Sequence, residues 1–156
     1  MRSTHTSLIA LVLLLSALGP SAPFATTLRG SCTLSKTKWA TTPDVNSITQ
    51  STSFVAVPGS KITFTQSAAG CVIVQFSAGA STDTNTAVVV QAQLDGATLA
   101  SPDDNGFSRD SDEADRAMSF VFPKVSAGSH VVEMQYKSDT GLNVLLGDRT
   151  EIVQYQ

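Results

Sequence analysis

Residues 87–100 have the sequence AVVVQAQLDGATLA. Apolar residues at the even positions from 88 to 94 alternate with glutamines at 91 and 93, which is the pattern of a β-strand with one buried face. Asp95-Gly96 comes directly after it, and an Asp-Gly pair between two strand patterns is a strong short-range signal for a hairpin. We therefore predict a strand at 87–94 that turns at Asp95-Gly96 and returns at 97–100.

Short β-type runs continue on both sides of this hairpin, separated by turn residues roughly every eight to twelve positions. Further strands are predicted near Trp39 and at 53–57, 61–66, 71–76, 118–122, 130–137, 142–146 and 149–155. The run at 71–76 is nearly all apolar, as in a strand that is covered on both faces. Gly147-Asp148 is predicted to be a turn between the last two runs.

The linkers between these runs are mostly shorter than the dozen residues that a parallel crossover needs, so antiparallel pairing is predicted. We expect an all-β protein, an antiparallel β-sandwich of the jelly-roll type with roughly eight or nine strands. At most one short helix is expected, near residues 110–117.

The N-terminus has the layout of a cleaved secretory signal. Arg2 precedes an apolar run at 8–18, interrupted by Ser16 alone, and small residues and prolines follow as far as Ala25. The alternative, a membrane anchor, would need roughly 20 apolar residues, so no membrane span is expected. The chain then divides into a signal peptide at 1–25, a Thr/Ser-rich N-terminal arm at 26–50 and a β-sandwich domain at 51–156. The expected location is secreted or periplasmic.

Two cysteines are present, Cys32 and Cys71. In an exported chain they most simply form one disulfide. Two free thiols or pairing with another chain are the alternatives. A zinc site is disfavoured because it needs four ligands.

The net charge is −3, and the lysines and arginines are scattered singly. Nucleic-acid binding requires a clustered basic face, so nucleic acid is not an expected partner.

Residues 103–115 are the compositional anomaly, because they hold six of the 13 carboxylates in the chain. A carboxylate-rich loop can supply the oxygen ligands that Ca²⁺ prefers. The candidate ligands are Asp103, Asp104, Asn105, Asp110, Asp112, Glu113 and Asp115. The alternative is a solvated connection with a turn at 104–106 and a short helix that begins at Asp110.

Catalytic residues are not predicted. His5 falls within the signal, so His130 is the single imidazole of the mature chain, and no serine lies in a Gly-x-Ser-x-Gly elbow. His130 is expected either to cap a strand at the rim of the sheet or to be a satisfied, partly buried histidine. An alternative function is a small secreted hydrolase or lyase that uses carboxylates of the 103–115 loop.

Trp39 and Phe107 are the candidates for a binding surface, because aromatic rings supply large, rigid contact area. The alternative for both residues is a place in the core.

The strand succession from Ser51 to Tyr155, the segment VSAGSHVV at 125–132 and the terminal RTEIVQY at 149–155 resemble the jelly-roll heads of complement-type and tumour-necrosis-factor-type proteins. The resemblance implies a jelly-roll fold and a tendency to form homo-oligomers such as trimers, and it assigns no functional residue. We therefore expect a secreted, non-enzymatic module that binds to itself or to an extracellular protein or glycan.

Overall fold

A computed structural model describes residues 29–156. The predicted signal peptide, the first residues of the arm and His5 lie outside the described residues. Residues 29–156 form strands, turns and loops without any α-helix, and so contain no helical segment long and apolar enough to cross a bilayer.

Eleven strands are assigned within this range. They are β1 (Lys36–Thr42), β2 (Ser47–Thr49), β3 (Val55–Ala56), β4 (Ile62–Gln66), β5 (Gly70–Thr82), β6 (Val88–Leu94), β7 (Thr98–Leu99), β8 (Asn105–Ser108), β9 (Ala114–Val125), β10 (Gly128–Ser138) and β11 (Val144–Tyr155).

The strands form two antiparallel sheets. Sheet A has the order β1-β11-β5-β9, and β2 continues the β1 edge by pairing with the other end of β11. Sheet B has the order β3-β10-β6-β7, and β4 and β8 extend its two edges by pairing with β10 and β6. The prediction of an all-β antiparallel sandwich is confirmed.

The core lies between the two sheets because alternate residues of each strand point inward. The largest fully buried side chains include four phenylalanines, Phe64, Phe76, Phe120 and Phe122, together with Met134 and Leu146. Burying one such side chain contributes about 1.5–3 kcal/mol relative to leaving it in water. The even-numbered residues of β6 lie in this core, as its alternation predicts.

The predicted hairpin forms at Asp95-Gly96. Leu94 pairs with Thr98, and the N–H of Ala97 donates to the carbonyl of Leu94 at 3.2 Å. The φ angles of Asp95 and Gly96 are 53° and 73°. Positive φ at both central positions is the mark of the type I′ turn, whose twist matches that of the flanking strands.

The N-terminal arm is an integral edge of sheet A from Lys36 onward. β1 pairs with β11 from Lys36↔Tyr155 to Thr42↔Arg149. The predicted disulfide between Cys32 and Cys71 is present, with a Cα–Cα distance of 5.6 Å. It joins the segment before β1 to the start of β5.

Three local features differ from the sequence predictions. The helix expected from Asp110 is absent, and 114–117 instead begin β9 by pairing with 77–80 of β5. Pairing along a whole strand outweighs the weak local capping signal. Gly147-Asp148 is a bulge inside β11 rather than a turn, so 142–146 and 149–155 belong to one strand for most of their length. The apolar run at 71–76 is covered on one face only, since Gln75 is exposed and Ile73 half-buried.

Candidate functional site

The outer face of sheet A carries a patch without charged side chains, here called the uncharged face. In an antiparallel sheet, paired residues project to the same side, so the register defines its rows. The three rows of four are Thr37-Gln154-Ile73-Val121, Trp39-Ile152-Gln75-Ser119 and Thr41-Thr150-Ser77-Ala117. Hydroxyl and amide groups dominate it, and every member is exposed or half-buried.

Trp39 is the prominent side chain of this face, with 71% of its surface exposed. Its exposure follows from the register of β1, because Ala40 and Thr42 are the half-buried residues that face inward. The neighbouring Lys38 donates from Nζ to the carbonyl of Thr63 at 2.6 Å, which ties this edge of sheet A to β4. A slip of one residue would exchange the two sets of side chains, so the register keeps the indole in solvent.

Two adjoining depressions lie on and beside the uncharged face. One, of about 330 Å³, is lined by side chains that include Gln75, Ser119 and Ile152. The second, of about 380 Å³, shares Ser77 and Thr150 with the first and extends towards Thr41. Both are shallow and open to solvent rather than enclosed.

Charged residues border the uncharged face on one side. Four charged residues, Asp115, Arg116, Asp148 and the largely buried Arg149, line part of the second depression. Beyond it, the carboxylate of Glu113 lies over two glycines: a Cβ on Gly79 or Gly147 would come within 2.5 Å of its Oε1. Glycine is therefore required at both positions for Glu113 to occupy this place.

The outer face of sheet B is different, because its polar side chains bond to one another. Gln91 donates to Gln135 at 2.6 Å, and Gln135 donates to Gln93 at 3.0 Å. Lys137 lies 3.0 Å from Asp104, and Lys61 lies 4.0 Å from Glu133. These groups already have partners. On the uncharged face the hydroxyls of Thr41 and Thr150 also share a hydrogen bond at 3.3 Å, but Gln75, Ser119 and Gln154 have no side-chain partner among the described residues.

The carboxylates of the 103–115 loop are spread over separate locations. Asp104 pairs with Lys137 and Asp110 with Arg116, whereas Glu113 lies over the two glycines. Asp103, Asp112 and Asp115 are exposed, and Asn105 is half-buried at the start of β8. Within residues 29–156, no three His, Cys, Asp or Glu side chains gather as a metal site. Calcium binding by this loop stays a prediction.

His130 joins the hairpin turn to β10. Its Nδ1 lies 2.8 Å from Oδ2 of Asp95, and its Nε2 lies 3.0 Å from the carbonyl oxygen of Ser126. Both neighbours accept hydrogen bonds, so both contacts form together only when the ring carries two protons. Because Nε2 lies against the backbone carbonyl of Ser126 and not against a serine hydroxyl, His130 links two parts of the fold and is not placed to activate a serine.

Asp95 completes this link, since its Oδ1 accepts from the N–H of Val131 at 2.8 Å. Partial burial alone would raise the pKa of Asp95. The hydrogen bonds from His130 and Val131 and the charge of His130 outweigh that effect and hold the pKa below its ordinary value.

Arg149 and Glu151 are buried on the inner side of β11, where sequence reasoning predicted no ionisable site. Arg149 donates to the carbonyls of Pro58, Val45 and Gly147 rather than to a carboxylate. Glu151 is 2% exposed, and neither carboxyl oxygen has a hydrogen-bond partner. Burial, with a smaller effect of Glu133, raises the pKa of Glu151 to about 9, so it is neutral at pH 7. The sequence did contain a signal for this burial. Arg149, Glu151 and the apolar Val153 are two residues apart, which places all three on the same side of the strand.

The two aromatic candidates have different places. Trp39 is exposed, whereas Phe107 is 6% exposed and packs against Phe76 with ring centroids 5.6 Å apart. Phe107 is thus a core residue and not part of an exposed binding surface. Sequence reasoning missed the rest of the uncharged face, because its rows join residues more than 100 positions apart, as Trp39 and Ile152 are.

Comparison with known proteins assigns no family. No protein-family model matches the chain, and no curated protein is significantly similar to it. The geometry of the two sheets is therefore the basis for assigning a function.

Proposed function

We propose that this protein is an exported, non-enzymatic module that acts by binding a partner through the uncharged face of sheet A. The exposed indole of Trp39 is the observation that carries the proposal. Tryptophan is among the residue types most enriched at recognition sites, where its ring supplies much of the binding energy. Here the indole stands beside hydroxyl and amide groups, and its row neighbour Ile152 lines the first of the two shallow depressions.

A binding role is favoured over catalysis by the state of the ionisable groups. His130 is engaged at both ring nitrogens, and Glu151 is enclosed in the core. The loop carboxylates Asp104 and Asp110 are each paired with a cation. A carboxylate-dependent hydrolase needs two such groups facing one substrate, with their pKa values shifted apart.

We infer a jelly-roll wrap for the sandwich from the strand order. Eight strands result if β1/β2, β3/β4 and β7/β8 are each counted as one interrupted strand and the strands are renumbered 1 to 8 along the chain. Sheet A then has the order 1-8-3-6 and sheet B the order 2-7-4-5. Neighbours 1-8, 2-7, 3-6 and 4-5 are the pairs of one long antiparallel hairpin wound around a core, which is how a double-sheet jelly roll arises. Export, supported by the N-terminal pattern and the disulfide, belongs to the same proposal.

Trp39 provides a built-in reporter because it is the single tryptophan of the chain. Acrylamide quenching of its fluorescence should fall when a partner covers the uncharged face. The mature protein is titrated with itself, to detect self-association, and separately with extracellular glycans and proteins. Protection of Trp39 in either series supports the proposal.

The opposing outcome is catalysis. Turnover of glycoside or ester substrates that is abolished by substituting one carboxylate of the 103–115 loop would overturn the binding role. Quenching that stays unchanged throughout both series would overturn it as well.

A further inference from the structure

We infer that the ligand of the uncharged face is a neutral glycan, with one sugar ring stacked on Trp39 and its neighbours along the row towards Ser119. This inference rests on the proposed binding function and adds the chemical class of the partner. It is carried by three properties of the face: its aromatic platform, its lack of charged side chains and its lack of a continuous apolar surface.

The aromatic platform suits a sugar ring. One face of a pyranose presents C–H bonds with positive polarisation, which are attracted to the negative face of an indole. Trp39 is exposed over most of its surface at the edge strand, so a ring can approach it without displacing protein atoms. The depression lined by Gln75, Ser119 and Ile152 begins at the next strand of the same row. A chain of sugars can therefore continue from the indole across the sheet.

The absence of charged side chains on the face favours a neutral ligand. An acidic glycan would bury its carboxylates or sulfates against three rows without a cation, at an uncompensated desolvation cost. Arg116 and Arg149 line the second depression, but Asp110 already pairs with the first and backbone carbonyls with the second. Neutral hydroxyl groups instead meet hydroxyl and amide side chains, which can both donate and accept hydrogen bonds. The polar side chains in position to do so are Thr37, Gln75, Ser77, Ser119 and Gln154. Thr41 and Thr150 share one hydrogen bond with each other and keep their remaining hydrogen-bonding capacity.

The apolar surface is too interrupted for a protein interface core. Ile48, the other strongly exposed apolar residue on this side of sheet A, pairs with Leu145 at the far end of β11. The carboxylate of Glu113 lies between that end and the rows of Trp39, over Gly79 and Gly147. A second copy of the chain would have to bury this charge to join the two apolar areas, which costs free energy.

The test uses the mature protein and a panel of neutral oligosaccharides built from glucose, mannose or galactose, with polygalacturonate as the acidic comparison. Calorimetry and quenching of Trp39 are measured for each. We expect at least one neutral oligosaccharide to bind and to protect Trp39, and polygalacturonate to give neither signal. Absence of binding by the whole neutral panel, or preference for polygalacturonate, would overturn the inference.

Variants then locate the site. Trp39→Ala should weaken binding of the best oligosaccharide roughly tenfold or more, and Trp39→Phe should recover part of it, because a smaller ring remains. Ser119→Arg, at the far end of the row, should also weaken binding. The matched controls are Leu99→Ala, another exposed apolar residue, and Thr65→Arg, an added charge on the exposed side of β4.

The controls should leave affinity and melting temperature unchanged, since exposed substitutions away from a site have small effects. Binding that survives Trp39→Ala, or falls equally in the controls, would overturn the inference. Protection of Trp39 by self-association or by a protein, without any effect of neutral oligosaccharides, would also overturn it, while leaving the broader binding function supported.

Discussion

Glu151→Gln should remove a pH dependence of stability that originates in one buried carboxyl. Glu151 has an ordinary pKa of 4.5 in the unfolded chain and a pKa of about 9 in the native fold, because burial and, secondarily, Glu133 disfavour its charge. The proton is therefore held by the native state and released by the unfolded state throughout that interval. The stabilising contribution of the protonated group is complete below pH 4.5 and is lost as the pH rises towards 9.

The magnitude follows from linkage. One proton more in the native than in the unfolded state lowers the free energy of unfolding by about 1.4 kcal/mol per pH unit. Between pH 5 and pH 8 the loss is about 4 kcal/mol, a large part of the roughly 5–15 kcal/mol that stabilises an ordinary domain. Glutamine has the same shape and stays neutral, so Glu151→Gln should be near wild type at pH 5 and more stable than wild type at pH 8.

The assay is urea denaturation of both proteins at a series of pH values from 5 to 8. Since every other titratable group is present in both proteins, their contributions cancel in the difference between the two free energies of unfolding. Glu133→Gln in the wild-type background should lower the pKa of Glu151 by removing a repulsive charge. Parallel stability curves for wild type and Glu151→Gln would refute the reasoning, because they would mean that Glu151 is ionised in the native state.

Four further outcomes are expected. Reducing the Cys32–Cys71 bridge, or replacing both cysteines by serine, should lower the free energy of unfolding by about 4 kcal/mol, the value of the chain-entropy model for a separation of 39 residues. Urea denaturation measures the change, and an unchanged midpoint would contradict the prediction. His130→Ala should destabilise the fold by about 1–3 kcal/mol through loss of the link to the hairpin turn. The variant should also lose less stability as the pH falls in the acid range. In the wild type, the lowered pKa of Asp95 contributes stability that is present above the ordinary pKa of 3.8 and is lost as the pH falls below that value. Asp139→Ala should lower the free energy of unfolding by about 1–3 kcal/mol, because the Asp139 carboxylate accepts a hydrogen bond from the buried N–H of Ala87. Hydrogen exchange at the Ala87 amide should accelerate in the variant, and exchange at the wild-type rate would count against the bond. If the 103–115 loop binds calcium, excess calcium should raise the melting temperature by mass action, and identical melts in calcium and chelator would remove the idea.

Much of the secondary structure was predictable because strand periodicity is local. The alternation at 88–94 and the Asp-Gly pair predicted β6 and its hairpin, and the structure has both. The errors arose where tertiary pairing outweighed local chemistry. Acidic residues after Asp110 signalled a helix start, yet β9 extends through 114–117 because β5 offers partners along its whole length. Gly147-Asp148 signalled a turn, yet its bulge lets one strand continue on both sides.

The candidate site was predictable only in part. Trp39 could be proposed as a surface residue because an aromatic ring supplies large, rigid contact area. The same reasoning chose Phe107, which instead packs on Phe76. Local sequence does not show which side of its strand an aromatic residue turns to the core, because that depends on the register with strands far away in the chain.

The amino-acid sequence alone determined the β class of this protein, the antiparallel sense of its pairing and the two cysteines that form its bridge, since these depend on periods and spacings within short segments. The tertiary structure decided that Trp39, Gln75, Thr150 and Ser119 share one face without charge, and that Glu151 is enclosed without a partner. The physical reason is that exposure, charge environment and pKa depend on which strands become neighbours, and long-range pairing between β1, β11, β5 and β9 sets that order.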